Sequence, residues 1–444
     1  MEPIPTQKRG ILVCSVYFDN EGRAYPARLW TIFLTMVPTL IELPNGLRVI
    51  YQHIPYTRTV HCGYVINAGS RDDLRGQIGM AHFIEHMIFK GTARRKTFHI
   101  LNYLESVGGD VNAYTTKEKT CLYASLMAEY FERATELLTD ITFHSTFPPK
   151  EIDKEKQVIA EEIDMYRNTP DEAIFEDFDE MIFPEHSLGH PILGTKDSIT
   201  QFTQEQVRSH LQRSLVTGEV VYSIVGNVSE KEVRRVIDKY LSPLELPNGH
   251  AERTAPGQSR IIEMKQQLDQ DQAHEIIGGR AYAVQDQHYV PFLVLNNLLG
   301  GPAMNTRLNL NIREKYGLTY TISSFYSPFL DSGIWGVYYA CEKNNLLRVR
   351  RLVEKELKLL QNKPIGSMRL SQAKKQLMGQ MILGYENLLN QMLGMAKDLL
   401  DFGEILPFEK LLSQIEAVTA EELQGVAQDL FPTDELSRIT YLAG

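Results

Sequence analysis

Cysteine is scarce: Cys14, Cys62, Cys121 and Cys341 are the only four in 444 residues, and no two are spaced C-x-x-C. That excludes a disulfide framework and a cysteine zinc knuckle, and fits buried free thiols in a reducing compartment. No apolar run approaches the roughly 20 residues needed to cross a bilayer, which argues against a membrane protein. Positive charge is in deficit, with Lys+Arg 46 against Asp+Glu 56 and a net charge of −10. Affinity for nucleic acid comes mostly from clustered cations, so a nucleic-acid partner is not expected. Low-complexity tracts and sustained heptads are also missing, and a chain 43% hydrophobic and 23% charged has the composition of a globular protein.

The first residues carry little pattern. Lys8-Arg9 precede the apolar run Ile11–Phe18, but Asp19, Asn20 and Glu21 close it without a small-residue cleavage site, and Leu12-Val13 before Cys14 are not small. Residues 1–35 are therefore read as a poorly informative extension, Met36 as a candidate functional start, and the protein as cytoplasmic.

A chain of 444 residues exceeds one hydrophobic core. Ser242–Ser259, with three prolines, two glycines and few apolar residues, is the best boundary. The expected organisation is a domain over 36–243, a linker over 244–259 and a second domain over 260–444. In the first, Leu40–Ile54 reads as a hairpin about Pro44-Asn45-Gly46 and Thr59–Ala68 as a strand. Gly79–Lys90 reads as a helix, Phe98–Val107 as another, Val111–Met127 as β-prone, and Glu129–His144 and Pro148–Arg167 as helices. Val220–Val225 is a strand followed by a helix from Ser229. Past the boundary a similar order recurs: strand His274–Ala281, helix Tyr289–Leu299, strands Leu318–Tyr326 and Gly333–Cys341, helix Asn345–Leu360, and a long helical region Leu370–Asp401 with a break near Gly384. Recurrence of element order points to two tandem α+β domains.

The chemistry concentrates in His82-Phe83-Ile84-Glu85-His86, an H-x-x-E-H. On a helix, residues four apart share a face, so His82 and His86 can grip one metal ion, with Glu85 beside them as a general base for a water. A catalytic zinc needs a third protein ligand and an open position. His186 and His190 are also four apart, but Pro184, Gly189 and Pro191 make theirs a loop. The helix Glu151–Asp164 is the better source. Glu155 and Glu162 are two turns apart, beside Ile159 and Ile163, and a carboxylate on a half-buried face needs a partner. His274 and His288 in the second half stand alone and read as structural or surface residues.

Asn67–Thr92 (NAGSRDDLRGQIGMAHFIEHMIFKGT) resembles the active-site helix of the pitrilysin/insulinase family, most closely the branch of single-length subunits that includes mitochondrial processing peptidase and bacterial zinc proteases. The family's third ligand lies about 76 positions after the second His, which falls on Glu162 within VIAEEIDMY; its second carboxylate, near the site, falls on Glu155. Gly108–Thr120, His186–Thr195 and the strand ending at Gly226 match as well. The resemblance covers roughly residues 40–440. It implies an α+β chain of two related α/β-roll domains, each a mostly antiparallel sheet with helices on one face, and one Zn2+ per chain on His82, His86 and Glu162. It implies a zinc metalloendopeptidase that binds extended peptide on a sheet edge at Asn112 and Ala113. The segment Asn311–Tyr320 resembles the family's R-E-K-x-G-L-x-Y, so Arg313 and Tyr320 are expected to stabilise the developing oxyanion from a facing half. In single-length members that pair comes from another subunit across a closed chamber. A homodimer is expected, with a heterodimer or a non-catalytic assembly subunit as the alternatives.

Overall fold

The computed structural model describes residues 37–444 apart from 251 and 259, together with an isolated pair of two-residue strands, Tyr17–Phe18 against Ala24–Tyr25. The readings of Met36 as the start and of Cys14 fall outside the described residues.

The first half is built on six strands, Thr39–Glu42 (β1), Arg48–His53 (β2), Thr59–Ile66 (β3), Asp110–Thr115 (β4), Thr120–Met127 (β5) and Val220–Gly226 (β6). They lie in the order β1-β2-β6-β3-β5-β4, and only β2 and β6 run parallel. The β-prone stretch predicted over Val111–Met127 is thus a hairpin, turning at Thr116 to Lys119, where the Thr116 N–H donates to the Lys119 carbonyl. The second half has five strands: Glu263–Leu268 (β7), Ala273–Ala281 (β8), Thr319–Pro328 (β9), Gly333–Cys341 (β10) and Ser437–Ala443 (β11). Their order is β9-β10-β8-β11-β7, with β7 and β11 parallel. The two orders superimpose strand for strand, β4-β5-β3-β6-β2 on β9-β10-β8-β11-β7. The shared α+β class and the recurrence expected from the sequence are therefore present as one topology used twice. Strand β1 is the first sheet's addition.

Each sheet carries its own helices on one face. In the first half these include Met80–Met87 (α1), Phe131–Phe143 (α2) and Pro149–Arg167 (α3), over a core containing Val60, Tyr64, Phe83, Leu137, Ile159 and Tyr222. In the second they include Tyr289–Gly300 (α4) and Leu346–Asn362 (α5), over Phe292, Trp335, Tyr339 and Val353. The opposite faces are covered by exchange, which the sequence did not lead us to expect. Pro170–Ile182 (α6), a first-half helix that the sequence pattern does not mark, lays Ile174, Phe178 and Met181 on Ile276, Ile334, Tyr338 and Ile439 of the second sheet. Leu388–Phe402 (α7) of the second half lays Met392, Leu393 and Ala396 on Ile50, Val65, Val221 and Val225 of the first. The long helical region is two helices, Ser367–Tyr385 (α8) and α7. The break falls at Asn387, whose side chain caps α7, three residues past Gly384.

Buried ion pairs reinforce the exchange. Arg71 is buried and bonds both Glu118 (2.6 Å) and Asp331 (2.5 Å), one from each half. Lys119 meets Asp401 of α7 at 2.6 Å, and the Tyr441 hydroxyl donates to Asp177 of α6 at 2.6 Å. The predicted linker is itself anchored. Arg253 forks onto Asp72 (2.8 Å) and donates to the carbonyls of Asn67 and Glu118, while the Thr254 carbonyl accepts from Arg71 and from His186 Nε2.

Candidate metal centre

Helix α1 divides its faces by spacing. Met80, Ala81, Phe83, Ile84 and Met87 enter the core, and His82, Glu85 and His86 occupy the other side at i, i+3 and i+4. Its start is held from a distance: Asp73 accepts the N–H groups of Gly79 (2.8 Å), Met80 (3.1 Å) and Ala81 (3.0 Å), which the helix itself leaves unpaired. Gly79 has φ of 92°, and a Cβ there would lie 2.6 Å from the Leu193 carbonyl, so glycine is required for the 193–194 backbone to pass over the helix end. In α3 the buried stripe is Ile152, Glu155, Ile159 and Ile163, placing Glu155 inside an otherwise apolar row with Glu162 at its margin.

Three of the candidate side chains converge. Donor atoms of His82, His86 and Glu162 all lie within 4.8 Å of one another. His82 Nε2 stands 4.0 Å and His86 Nε2 3.6 Å from the Glu162 oxygens, too far apart for hydrogen bonds. A tetrahedral zinc about 2.0–2.1 Å from each ligand would separate donors by about 3.4 Å, so the gap is close to that of an ion. Burial, with the neighbouring His86, depresses His82 to about 3 against the weaker pull of Glu155, leaving a neutral imidazole lone pair. Two imidazoles and one carboxylate are a fitting donor set for zinc with a position left open.

Glu155 does not join the donor cluster. Its Oε1 accepts a hydrogen bond from His86 Nδ1–H at 2.9 Å and its Oε2 meets Lys90 Nζ at 2.7 Å. Burial alone would raise Glu155, but the hydrogen bonds from His86 and Lys90 outweigh it and hold it ionised below its usual value. Burial likewise works to lower His86, and the Glu155 contact, aided by Glu162 and Glu85, overcomes it and raises this imidazole. Glu155 thus positions His86, fixing its tautomer so that Nε2 faces the cluster. His82 has no such partner, because its buried Nδ1 is unbonded.

Glu85 lies beside the cluster with Oε2 accepting from the Thr115 hydroxyl at 2.6 Å. Burial raises its carboxyl, opposed by that hydrogen bond and by His86. Thr115 ends β4, whose outer edge pairs with no strand among the described residues. On that edge the Ala113 N–H is taken up by the neighbouring Asn112 Oδ1 at 2.8 Å, and the Asn112 side chain is exposed.

Arg313 and Tyr320 stand apart from these groups. They belong to the second half, at a π-helical turn (Asn309–Glu314) and at the start of edge strand β9, with the guanidinium 5.4 Å from the Tyr320 ring. Tyr320 is 79% exposed, and the ring contact between Arg313 and Tyr320 joins them to each other and not to His82, Glu85, His86 or Glu162. His186 and His190 are loop residues: His186 accepts from the Leu188 N–H and reaches the Thr254 carbonyl. Sequence reasoning missed Asp73, Lys90 and Thr115. Lys90 alone left a signal, as a cation one turn beyond His86 on the same face.

Residues 48–196 match the family described as Insulinase (Peptidase family M16), and 201–377 match its Peptidase M16 inactive domain. The chain is 33% identical to the uncharacterized zinc protease YmxG of Bacillus subtilis (strain 168), over 88% of this chain and 95% of that one. It is 31% identical to an uncharacterized zinc protease of Streptomyces coelicolor, over 87% of this chain and 86% of the other. Among solved structures, a peptidase M16 inactive domain from Pseudomonas fluorescens aligns with a TM-score of 0.85 at 18% identity, covering 92% of this chain and 98% of that chain. A protease from Helicobacter pylori aligns with a TM-score of 0.83 at 19% identity, covering 91% and 99%. No helix among the described residues is long and apolar enough to cross a membrane. The topology used twice, the convergence on α1 and α3 and the extent of these matches together establish that the chain belongs to the insulinase (M16) peptidase family.

Proposed function

We propose that this chain is a zinc metalloendopeptidase acting on peptides or unfolded segments. The observation that carries the reading is the gathering of His82, His86 and Glu162 about one ion-sized gap, with the Glu85 carboxylate alongside. Zinc held there would polarise the scissile carbonyl and make a water acidic enough to lose a proton near neutral pH. Glu85 takes that proton at Oε1, Oε2 being held by Thr115, and returns it to the departing amine nitrogen. The free edge of β4 receives the substrate as an added strand, with the Ala113 N–H released when Asn112 swings aside.

Tyr320 is exposed and remote from Glu85 in bonding terms, which supports a dimer in which the partner subunit supplies Arg313 and Tyr320 to the developing oxyanion. Two such chains facing one another would enclose the site and admit only unfolded polypeptide. The three described cysteines are buried and free, in keeping with the cytoplasmic placement expected from the sequence.

Metal analysis and peptide hydrolysis by the purified chain test the reading together. One zinc per chain and hydrolysis abolished by chelation and by Glu85→Gln are expected. A chain that binds no zinc and cleaves no peptide refutes it. Zinc binding with hydrolysis only after a related chain is added would assign the heterodimeric arrangement, and zinc binding without hydrolysis in any pairing the assembly-subunit one.

A further inference from the structure

Asp73 is a buried carboxylate whose hydrogen bonds all go to one helix end. Its side chain has no exposed surface, and its partners among the described residues are three backbone N–H groups, those of Gly79 and Met80 on Oδ2 and that of Ala81 on Oδ1. His210 Nδ1 stands 3.8 Å from Oδ1 and forms no hydrogen bond. Burying a carboxylate is costly; burial works to raise this one, and the three N–H groups work against it. A hydroxyl would start the helix at far lower cost, as Thr203 and Ser229 do for the helices Gln204–Ser214 and Glu230–Tyr240. What a hydroxyl cannot supply is a grip at three points from two oxygens, which fixes the height and the rotation of α1 together.

The grip matters most at His82. His86 is oriented by Glu155, but the buried Nδ1 of His82 has no partner, so the place of its imidazole depends on the backbone that carries it. Ala81, whose N–H Asp73 holds, immediately precedes His82. Asp73 is itself seated on firm ground. The N–H groups of Ser70 and Arg71, just before it, donate to the carbonyls of Thr116 (3.1 Å) and Lys117 (2.7 Å) at the tip of the β4–β5 hairpin. The same hairpin carries Thr115, the partner of Glu85. One short segment thus joins the start of α1 to the strand that meets its Glu85. We propose that Asp73 is a positioning residue of the metal centre, holding His82 at the ion-sized gap and α1 in register with β4 whether or not metal is bound. The inference rests on the metal-binding part of the proposed function and not on peptide hydrolysis.

Zinc affinity tests it, measured by competition with a chromophoric chelator on full chain shown by circular dichroism to be folded. Asp73→Asn keeps the size of the side chain and removes its charge and one acceptor oxygen. The zinc dissociation constant should rise about tenfold or more, as for other groups that orient a ligating histidine. Ser229→Ala removes the cap of a helix that carries no metal ligand and should leave the constant unchanged. A merely structural Asp73 would lower the melting temperature of Asp73→Asn and leave its affinity at the parent value. Because loss of a buried carboxylate can unfold a chain, hydrogen exchange of the zinc-free parent is followed as well, and the Met80 and Ala81 amides should exchange as slowly without zinc as with it. Parent-like affinity in Asp73→Asn, equal weakening by Ser229→Ala, or Met80 and Ala81 amides protected only after zinc is added overturns this proposal alone. A parent chain that binds no zinc overturns the metal reading and this proposal together.

Discussion

Replacing Glu155 by Gln isolates what the buried carboxylate does for the metal centre. The exchange keeps side-chain volume in a place where Glu155 is only 5% accessible, so packing changes little. It removes the charge that receives the His86 Nδ1–H at 2.9 Å and the Lys90 ammonium at 2.7 Å. An ionised acceptor makes a hydrogen bond about twice as strong as a neutral one, and the difference is about 1–2 kcal/mol. The imidazole also loses the influence that makes Nε2 the better lone pair. At about 1.4 kcal/mol per tenfold, the zinc dissociation constant should rise by roughly 5–30-fold, overlapping the 10–100-fold range found for partners of ligating histidines. Competition for zinc against a chromophoric chelator at pH 7.5, on protein shown by circular dichroism to be folded, measures the change. A constant within about twofold of the parent would mean that His86 needs no orienting partner, and the role assigned to Glu155 would fall.

Thr115→Val removes the 2.6 Å hydrogen bond to Glu85 while keeping the β-branched shape; kcat should fall on the order of tenfold with zinc content unchanged, and an unaltered kcat would show that Glu85 is positioned without it. Phe178→Ala opens a cavity between α6 and the second sheet, where the ring is fully buried; urea unfolding should show a loss of about 3–5 kcal/mol, and a loss below about 1 kcal/mol would mean that α6 does not bear on the second core. Asp398 on α7 is pushed up to about 6 by burial and then by Asp401, against a Leu406 N–H that pulls it down. A folded-state pKa above the unfolded one stabilises the fold at low pH, and that stability is lost as pH rises from about 4 through about 6. Asp398→Asn should therefore stabilise the chain by up to about 2–3 kcal/mol at pH 7.5, less with solvent screening, and by about half as much at pH 5; melting curves showing the same gain at both pH values would refute this origin.

Much of the site was legible because its chemistry follows helical spacing. His82, Glu85 and His86 sit on one face for the reason that any i, i+3, i+4 set does, and Glu162 reached them because α3 packs its Ile159–Ile163 stripe against the same core. Asp73 and Thr115 were not legible. Each acts across a turn or between elements, and nothing in the identity of an isolated Asp or strand Thr says what it will face. Strand β7 escaped notice because its residues are largely exposed and polar, without the apolar alternation that marks a half-buried strand. Helix α6 is not legible because a proline just past Arg167 looks like a stop for α3, whereas Pro170 at a first helical position begins the next helix.

The reciprocal exchange changes what the two halves can be. Each sheet has one apolar face that its own half cannot cover: Ile276, Ile334 and Ile439 in one, Ile50, Val65 and Val221 in the other. Separated at the linker, either half would expose such a face, and Arg71 would lose Asp331, its partner in the second half. The first half holds every residue of the candidate metal cluster, yet it depends on α7 from the second half to seal the sheet that carries β4, the strand holding Glu85 through Thr115. A second half without a metal cluster among its residues is therefore no dispensable relic. Helix α7 lies across the central strands β3 and β6, and from it Lys397 reaches over the Tyr114 ring of β4 at 5.4 Å. Helix α7 thereby couples the second half to the sheet whose edge is proposed to bind peptide and whose Thr115 bonds the Glu85 carboxylate.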